Sequence, residues 1–145
     1  MAMFMGDYNH QLDAKNRMRI PAKLKKELGD EYYFAKGANH CIYVFSKEAV
    51  EEQFEKLKQI KLSDLERQKS LRTFAKSFVP AVEDSQGRVV LSPELRAYAG
   101  LGKNDKDLYI CGAVTRVEIW SKKTYDEYYS DENENYDDLF SLLDI

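Results

Sequence analysis

One short pattern occurs twice in this chain of 145 residues and limits what the chain can become. Asp13-Ala14-Lys15-Asn16-Arg17 returns, altered, as Asp84-Ser85-Gln86-Gly87-Arg88. The first copy reads DAKNRMRIPAKLKKELG and closes at Gly29; the second reads DSQGRVVLSPELRAYAG and closes at Gly100. Aligned without gaps they share only Asp, Arg, Leu and the final Gly, so identity alone is weak. Each copy, however, describes the same path: a tight turn, a short apolar strand, a Pro near a helix start and a Gly at the helix end. The echo then resumes. Gly37-Ala38 matches Gly112-Ala113, and Val44-Phe45-Ser46-Lys47 matches Ile119-Trp120-Ser121-Lys122, at an offset four residues longer. A small insertion therefore lies near residues 103–107. Two blocks in the same order indicate an internal repeat. Coincidence between two strand-turn-strand-helix units is the alternative.

A single repeat of about 55 to 60 residues is marginal for a core of its own. The two repeats are expected to share one core. A hydrophobic content of 43% with 12% aromatic residues places the chain among globular proteins. No apolar run approaches the length of about 20 residues needed to span a bilayer. The opening MAMFMGDY has no basic region ahead of an apolar stretch, so no secretory signal is expected. Cys41 and Cys111 give no disulfide framework and read as small buried hydrophobes. A cytoplasmic location is expected.

Along the chain, residues 3–12 read as a strand carrying Phe4, Tyr8 and Leu12, and residues 13–16 as a turn. Asn16 tolerates positive φ, as does Gly87 at the matching place. Residues 17–20 alternate, with Arg17 and Arg19 on one face and Met18 and Ile20 on the other. Pro21 suits the first position of a helix that carries Leu24 and Leu28 and ends at Gly29. Residues 31–36 and 41–45 read as strands joined at Gly37-Ala38-Asn39. Ser46 caps a helix with a Val50, Phe54, Leu57 stripe. Ser63-Asp64-Leu65-Glu66 fits the capping box of a second long helix carrying Leu71, Phe74 and Phe78. Residues 79–83 turn extended at Pro80. The second copy then supplies a strand over 88–91, a helix capped by Ser92 with Pro93 inside, strands over 108–111 and 117–120, and a helix capped by Ser121. Residues 131–135 are expected to be mobile, and Leu139, Phe140, Leu142 and Leu143 to form a terminal helical turn that docks.

The charge is asymmetric. Residues 124–145 hold eight acidic residues and no Lys or Arg, so the net charge of −3 becomes +5 over residues 1–123. The basic excess concentrates at Lys15, Arg17, Arg19, Lys23, Lys25 and Lys26. A basic cluster beside a turn suits a polyanion, since neutralised phosphates release counterions. For Lys23, Lys25 and Lys26 alone, a solvated helix face is the favoured reading.

Other chemistry lacks support. His10, His40, Cys41 and Cys111 follow no metal-ligand spacing, and no metal or cofactor is expected. Phosphate-loop and nucleophile-elbow patterns are missing. Asp13 and Asp84 could be a carboxylate pair for acid-base work, but each is followed by Arg at +4. That favours ionised carboxylates holding turns. Without a nucleophile-base pair, an enzyme is unsupported.

These residues resemble the MraZ family of bacterial regulators, which carry tandem SpoVT/AbrB-type repeats each marked by a D-x-K-G-R-type turn. The match includes Met-Phe-x-Gly at residues 3–6, Ile20-Pro21-Ala22-Lys23, Leu95-Arg96-x-Tyr98-Ala99-Gly100-Leu101 and Val117-Glu118-Ile119-Trp120-Ser121. It covers residues 3–129. Asn16 departs from the usual Gly, and the acidic tail after Ser130 lies outside the pattern. The resemblance implies an α+β fold: two tandem AbrB-like swapped-hairpin β repeats forming one shared β-barrel core with peripheral helices. The repeats would span 3–62 and 78–129, with a connecting helix over 63–77 and the acidic tail over 130–145. It further implies transcriptional control of the division and cell-wall gene cluster through double-stranded DNA, at G-rich direct repeats in the protein's own promoter. Ring-shaped homo-oligomers, octameric in the family, are implied as well, with no membrane partner.

On that reading the turn and strand of copy one present Lys15, Arg17 and Arg19 to a groove. Arg17 suits guanine O6 and N7, while Lys15 and Arg19 suit phosphates. Copy two offers Gln86 and Arg88, which either bind more weakly or serve packing. Asp13, Asn16, Asp84 and Gly87 are the structural residues of the turns. Arg17 and Arg88 have a second possible role, as ion-pair partners of Asp13 and Asp84. The competing function is a protein-interaction module, antitoxin-like or a ring scaffold, without sequence-specific DNA binding. The acidic tail likewise has two open roles: competing with DNA for the basic surface, or docking on a neighbouring subunit.

Overall fold

The computed structural model describes residues 2–130 and 135–145. The expected mobility of residues 131–134 lies outside the described residues. Strand β1 spans Asp7–Gln11, shorter than the expected 3–12, because Gly6 at φ +96° bends the chain just before it. Phe4 still reaches across to Val114 as an isolated bridge, and Phe4 and Leu12 are buried. Strand β2, Arg17–Met18, keeps the expected alternation: Met18 and Ile20 are buried, Arg19 exposed. Helix α1, Ala22–Leu28, buries Leu24 and Leu28 and ends at Gly29 with φ +79°. Pro21 sits one place before the helix, and its carbonyl accepts from the Leu24 and Lys25 amides.

Strands β3, Tyr32–Lys36, and β4, Ile42–Ser46, form a hairpin through a single 3-10 turn at Ala38–His40. Helix α2, Lys47–Leu57, is capped by Ser46, whose Oγ accepts from the Ala49 amide at 3.1 Å. Helix α3, Leu65–Ala75, corrects one expectation. Its cap is Asp64, whose carboxylate accepts from the Arg67 amide at 3.1 Å, one residue beyond the expected Ser63. An Asp at the following position offers a carboxylate to the same end, and its charge also complements the helix dipole. The apolar stripes of α2 and α3 meet on Phe78, which lies 5.1 Å from Phe54, 4.9 Å from Phe74 and 5.8 Å from Phe45, centroid to centroid.

The second half supplies β5, Val79–Pro80; β6, Val89–Val90; α4, Pro93–Ala99; β7, Asp107–Gly112; β8, Val117–Ser121; and α5, Lys122–Tyr128. Ser92 and Ser121 cap α4 and α5 through their hydroxyls, and Pro93 opens α4. Helix α6, Tyr136–Leu143, follows the acidic stretch. Leu139, Phe140, Leu142 and Leu143 on it are all exposed, so the expected docking does not bury them.

Six strands form one antiparallel sheet in the order β1-β7-β8-β4-β3-β5, and β2 pairs with β6 in a separate two-stranded ribbon. The repeat explains the order. Exchanging each strand for its mate in the other copy, β1 with β5, β3 with β7 and β4 with β8, returns the same order reversed. The sheet thus has an approximate two-fold between β4 and β8. The first strand of each repeat pairs with the third strand of the other. One core cluster contains Met18, Ile20, Leu24 and Val44 from copy one and Val89, Leu91, Leu95 and Ile119 from copy two. The fold is α+β, as expected, but the hydrogen-bonded sheet is open, with β1 and β5 at its edges; the expected barrel closure is corrected on that point. Pro80 is accommodated because β5 is an edge strand. Gly112 marks the crossing of the N-terminal segment, where an added Cβ would lie 2.2 Å from the Met5 nitrogen.

This exchange predicts that a fragment of residues 1–62 has no monomeric native state. It lacks β7 for β1, β8 for β4 and β6 for β2, so it unfolds or self-associates. Size-exclusion and thermal melting of the fragment provide the check; a monomer that melts cooperatively would contradict the shared core.

Candidate nucleic-acid interface

The two Asp-to-Arg turns adopt one geometry. In the first, Asp13 Oδ1 accepts from the backbone amides of Lys15 and Arg17, both at 2.9 Å, and Oδ2 accepts from Arg17 Nε at 2.8 Å. The Asn16 amide donates to the Asp13 carbonyl, and the Asp13 amide to the Arg17 carbonyl. In the second, Asp84 Oδ1 accepts from Gln86 and Arg88 amides at 2.9 Å, and Oδ2 from Arg88 Nε at 2.8 Å. The Arg88 amide and the other donors hold Asp84 down to about 2, and the Arg17 amide leads the same effect on Asp13. Both carboxylates are therefore charged at neutral pH. Paired acid-base chemistry has no support here, since neither carboxyl is raised.

Positive φ falls where expected, at Asn16 (60°) and Gly87 (75°). An added Cβ at Gly87 would meet nothing within 4 Å, so φ alone favours glycine there. Asn16 does more than tolerate its conformation. Its Oδ1 accepts from Lys106 Nζ, and the Lys106 carbonyl in turn accepts from the Leu12 amide at 2.9 Å. The insertion of copy two thus braces the turn of copy one. Spacing placed the insertion but gave no sign of this contact.

The β2–β6 ribbon joins the two turns. Arg17 lies opposite Val90 and Met18 opposite Val89. Met18 and Val89 point into the core, leaving Arg17, Arg19, Arg88 and Val90 on the outer face. Arg19 Nε donates to the Gln86 carbonyl at 2.8 Å, tying the copies together a second time. Arg17 and Arg88 do form the alternative ion pairs with their aspartates, through Nε. Among the described residues their terminal amino groups make no further hydrogen bond. Each guanidinium is held by one edge while the end suited to a bidentate acceptor stays available. Lys15 and Gln86 are exposed at the turn tips.

The helix lysines divide. Lys23 and Lys26 are exposed, whereas Lys25 Nζ donates to the Gly29 carbonyl at 2.9 Å and sits 5.6 Å from the Tyr32 ring centroid. Lys25 therefore serves the C-terminus of α1. Burial pushes the free thiols of Cys41 and Cys111 upward, the first to about 12. Among the described residues, no three His, Cys, Asp or Glu side chains are grouped to hold a metal, and no helix is long and apolar enough to cross a membrane.

A fold in which two clamped turns share one basic ribbon defines a tandem-repeat protein, and comparison with known sequences gives the family. The profile described as "MraZ protein, putative antitoxin-like" matches residues 3–73 and 81–140. Proteins named Transcriptional regulator MraZ are similar over nearly the whole chain. That of Paenarthrobacter aurescens is 40% identical over 129 residues, 89% of this chain and 88% of its own. That of Carboxydothermus hydrogenoformans is 37% identical over 137 residues, 94% of each. That of Alkaliphilus metalliredigens is 32% identical over 142 residues, 98% of this chain and 97% of its own. The chain belongs to the MraZ family. The family match runs to residue 140, so the first part of the tail lies within the pattern and not outside it.

The Lys106 contact changes the expectation for Asn16→Gly, which by backbone conformation alone would be neutral. Losing the contact costs about 1 kcal/mol. Chemical denaturation should show that loss in the native background and almost none in a Lys106→Ala background. Equal effects in both would contradict the brace.

Proposed function

We propose that this protein is a transcriptional regulator that binds double-stranded DNA in a sequence-specific way through the β2–β6 ribbon. The carrying observation is the pair of arginines whose terminal amino groups stay available while an aspartate fixes Nε. A β-ribbon fits the major groove. Arg17 reads guanine O6 and N7, and Arg88 reads a second position. Lys15 and Arg19 contact phosphates, and Gln86 contributes an amide beside them. Asp13, Asn16, Asp84 and Gly87 hold the turns. The targets are G-rich direct repeats in the promoter of the protein's own gene, within the division and cell-wall cluster, as the family resemblance implies. The relatives' shared name and the crossed pairing of the repeats support this reading, and the pairing also supports tandem swapped-hairpin repeats. No catalytic role is proposed.

Arg17→Ala should abolish specific binding and keep the fold, because one bidentate contact carries about 1–3 kcal/mol of discrimination. Repetition across subunits on one DNA multiplies the loss. A gel shift on the upstream duplex, with circular dichroism as the fold control, decides. Retained specific affinity would remove Arg17 from the interface.

A second role, assembly, rests on α6. Leu139, Phe140, Leu142 and Leu143 are exposed on a helix whose first turn carries Asp137 and Asp138. We place α6 against a neighbouring copy in a ring-shaped homo-oligomer, octameric by resemblance. Deleting residues 131–145 should then shrink the assembly in light scattering and weaken operator binding through lost avidity. An unchanged assembly with tighter binding to random DNA would instead make the tail an electrostatic competitor.

A further inference from the structure

The two repeats contribute unlike halves to the ribbon. Under the repeat offset Arg19 corresponds to Val90, Lys15 to Gln86 and Asn16 to Gly87. The backbone geometry of the two turns is the same, but the chemistry they present is not. Copy one adds two cations beside Arg17. Copy two adds an amide and an isopropyl group beside Arg88. Val90 is 56% exposed on the outer face and stands directly across the ladder from Arg17. Its cross-strand partner is therefore Arg17 on the same outer face, whereas its chain neighbour Val89 is buried in the core.

Operator symmetry mirrors protein symmetry, so a reader with two equal halves is matched to a palindrome. The ribbon has unlike ends, Arg17 across from Val90 at one and Arg19 beside Arg88 and Gln86 at the other, and so has a direction. We propose that Val90 contacts the C5-methyl group of a thymine next to the guanine read by Arg17, and that this valine, standing where the repeat symmetry would place a second Arg19, fixes the polarity of the protein on DNA. The proposal deepens the reading above and rests on it.

Several properties support the assignment. In the major groove only thymine offers an apolar group, its methyl. Directly opposed residues of an antiparallel pair have Cβ atoms about 5 Å apart. Successive base pairs rise about 3.4 Å, so a partner of Arg17 falls over the adjacent pair. Valine is β-branched and stiff at χ1, so its methyls stay where the strand puts them. A cation at this position, as in copy one, would be drawn to phosphate or guanine instead.

The test uses the full chain and a labelled duplex of the sequence immediately upstream of its own gene. Single thymines are replaced by deoxyuridine, which removes the methyl and keeps the base pair. At one thymine in each bound repeat the replacement should weaken the native protein about fourfold, the worth of one methyl-sized apolar group. The same replacement should leave Val90→Ala unaffected, because the two changes remove one contact. Val90→Ile, which keeps a branched apolar group, should retain the methyl dependence and serves as the folded control. Specific binding with no methyl effect, or an equal effect in native protein and Val90→Ala, would overturn the Val90 assignment alone. Failure to prefer the upstream duplex over a scrambled one would overturn the DNA-reading function itself and the assignment with it.

Discussion

Each turn depends on one carboxylate. Asp13 and Asp84 each take two backbone amides on one oxygen and an arginine Nε on the other. The amides close the turn, and the third bond sets the direction of the arginine that begins the next strand. An arginine free in solution loses about 2 kcal/mol of rotamer entropy when it is fixed. Here much of that ordering precedes any ligand, which is the advantage of preorganisation in binding. The clamp also divides the work. Aspartate and arginine cancel in net charge, so under the proposed function attraction to phosphate would fall to Lys15 and Arg19, with the clamped arginines left for directional contacts.

The ribbon that carries the clamps is only two residue pairs long. A two-stranded element of that size is not stable alone. Its support comes from below, where Met18, Ile20, Val89 and Leu91 enter the common core. Because each repeat lends its first strand to the other, neither clamp can be positioned until both repeats have folded. The shared core and the shared basic face are consequences of the same exchange.

Much of this was legible in the residues. The repeat located both turns, the serine caps at 46, 92 and 121, and the alternation that separates Arg17 and Arg19 from Met18 and Ile20. Sheet order was not legible, since a period of two assigns faces but names no partner strand. The α3 cap was missed because Ser63 and Asp64 both suit an N-cap, and only the register of the helix chooses between them. The Lys106 brace was hidden because it joins residues 90 apart in sequence. Val90 gave no signal by itself; a single valine in a strand is ordinary. Its position opposite Arg17, and its correspondence to Arg19, give it meaning.

The proposed function requires that the clamped arginines read guanine in the major groove. Methylation interference tests it most directly: the upstream duplex is sparsely methylated at guanine N7, and bound and free fractions are compared. Methyl groups at a repeating set of guanines should exclude DNA from the bound fraction, and Arg17→Ala should erase this pattern at the guanines it contacts. Binding that is indifferent to N7 methylation throughout, and lost evenly with added salt, would contradict it.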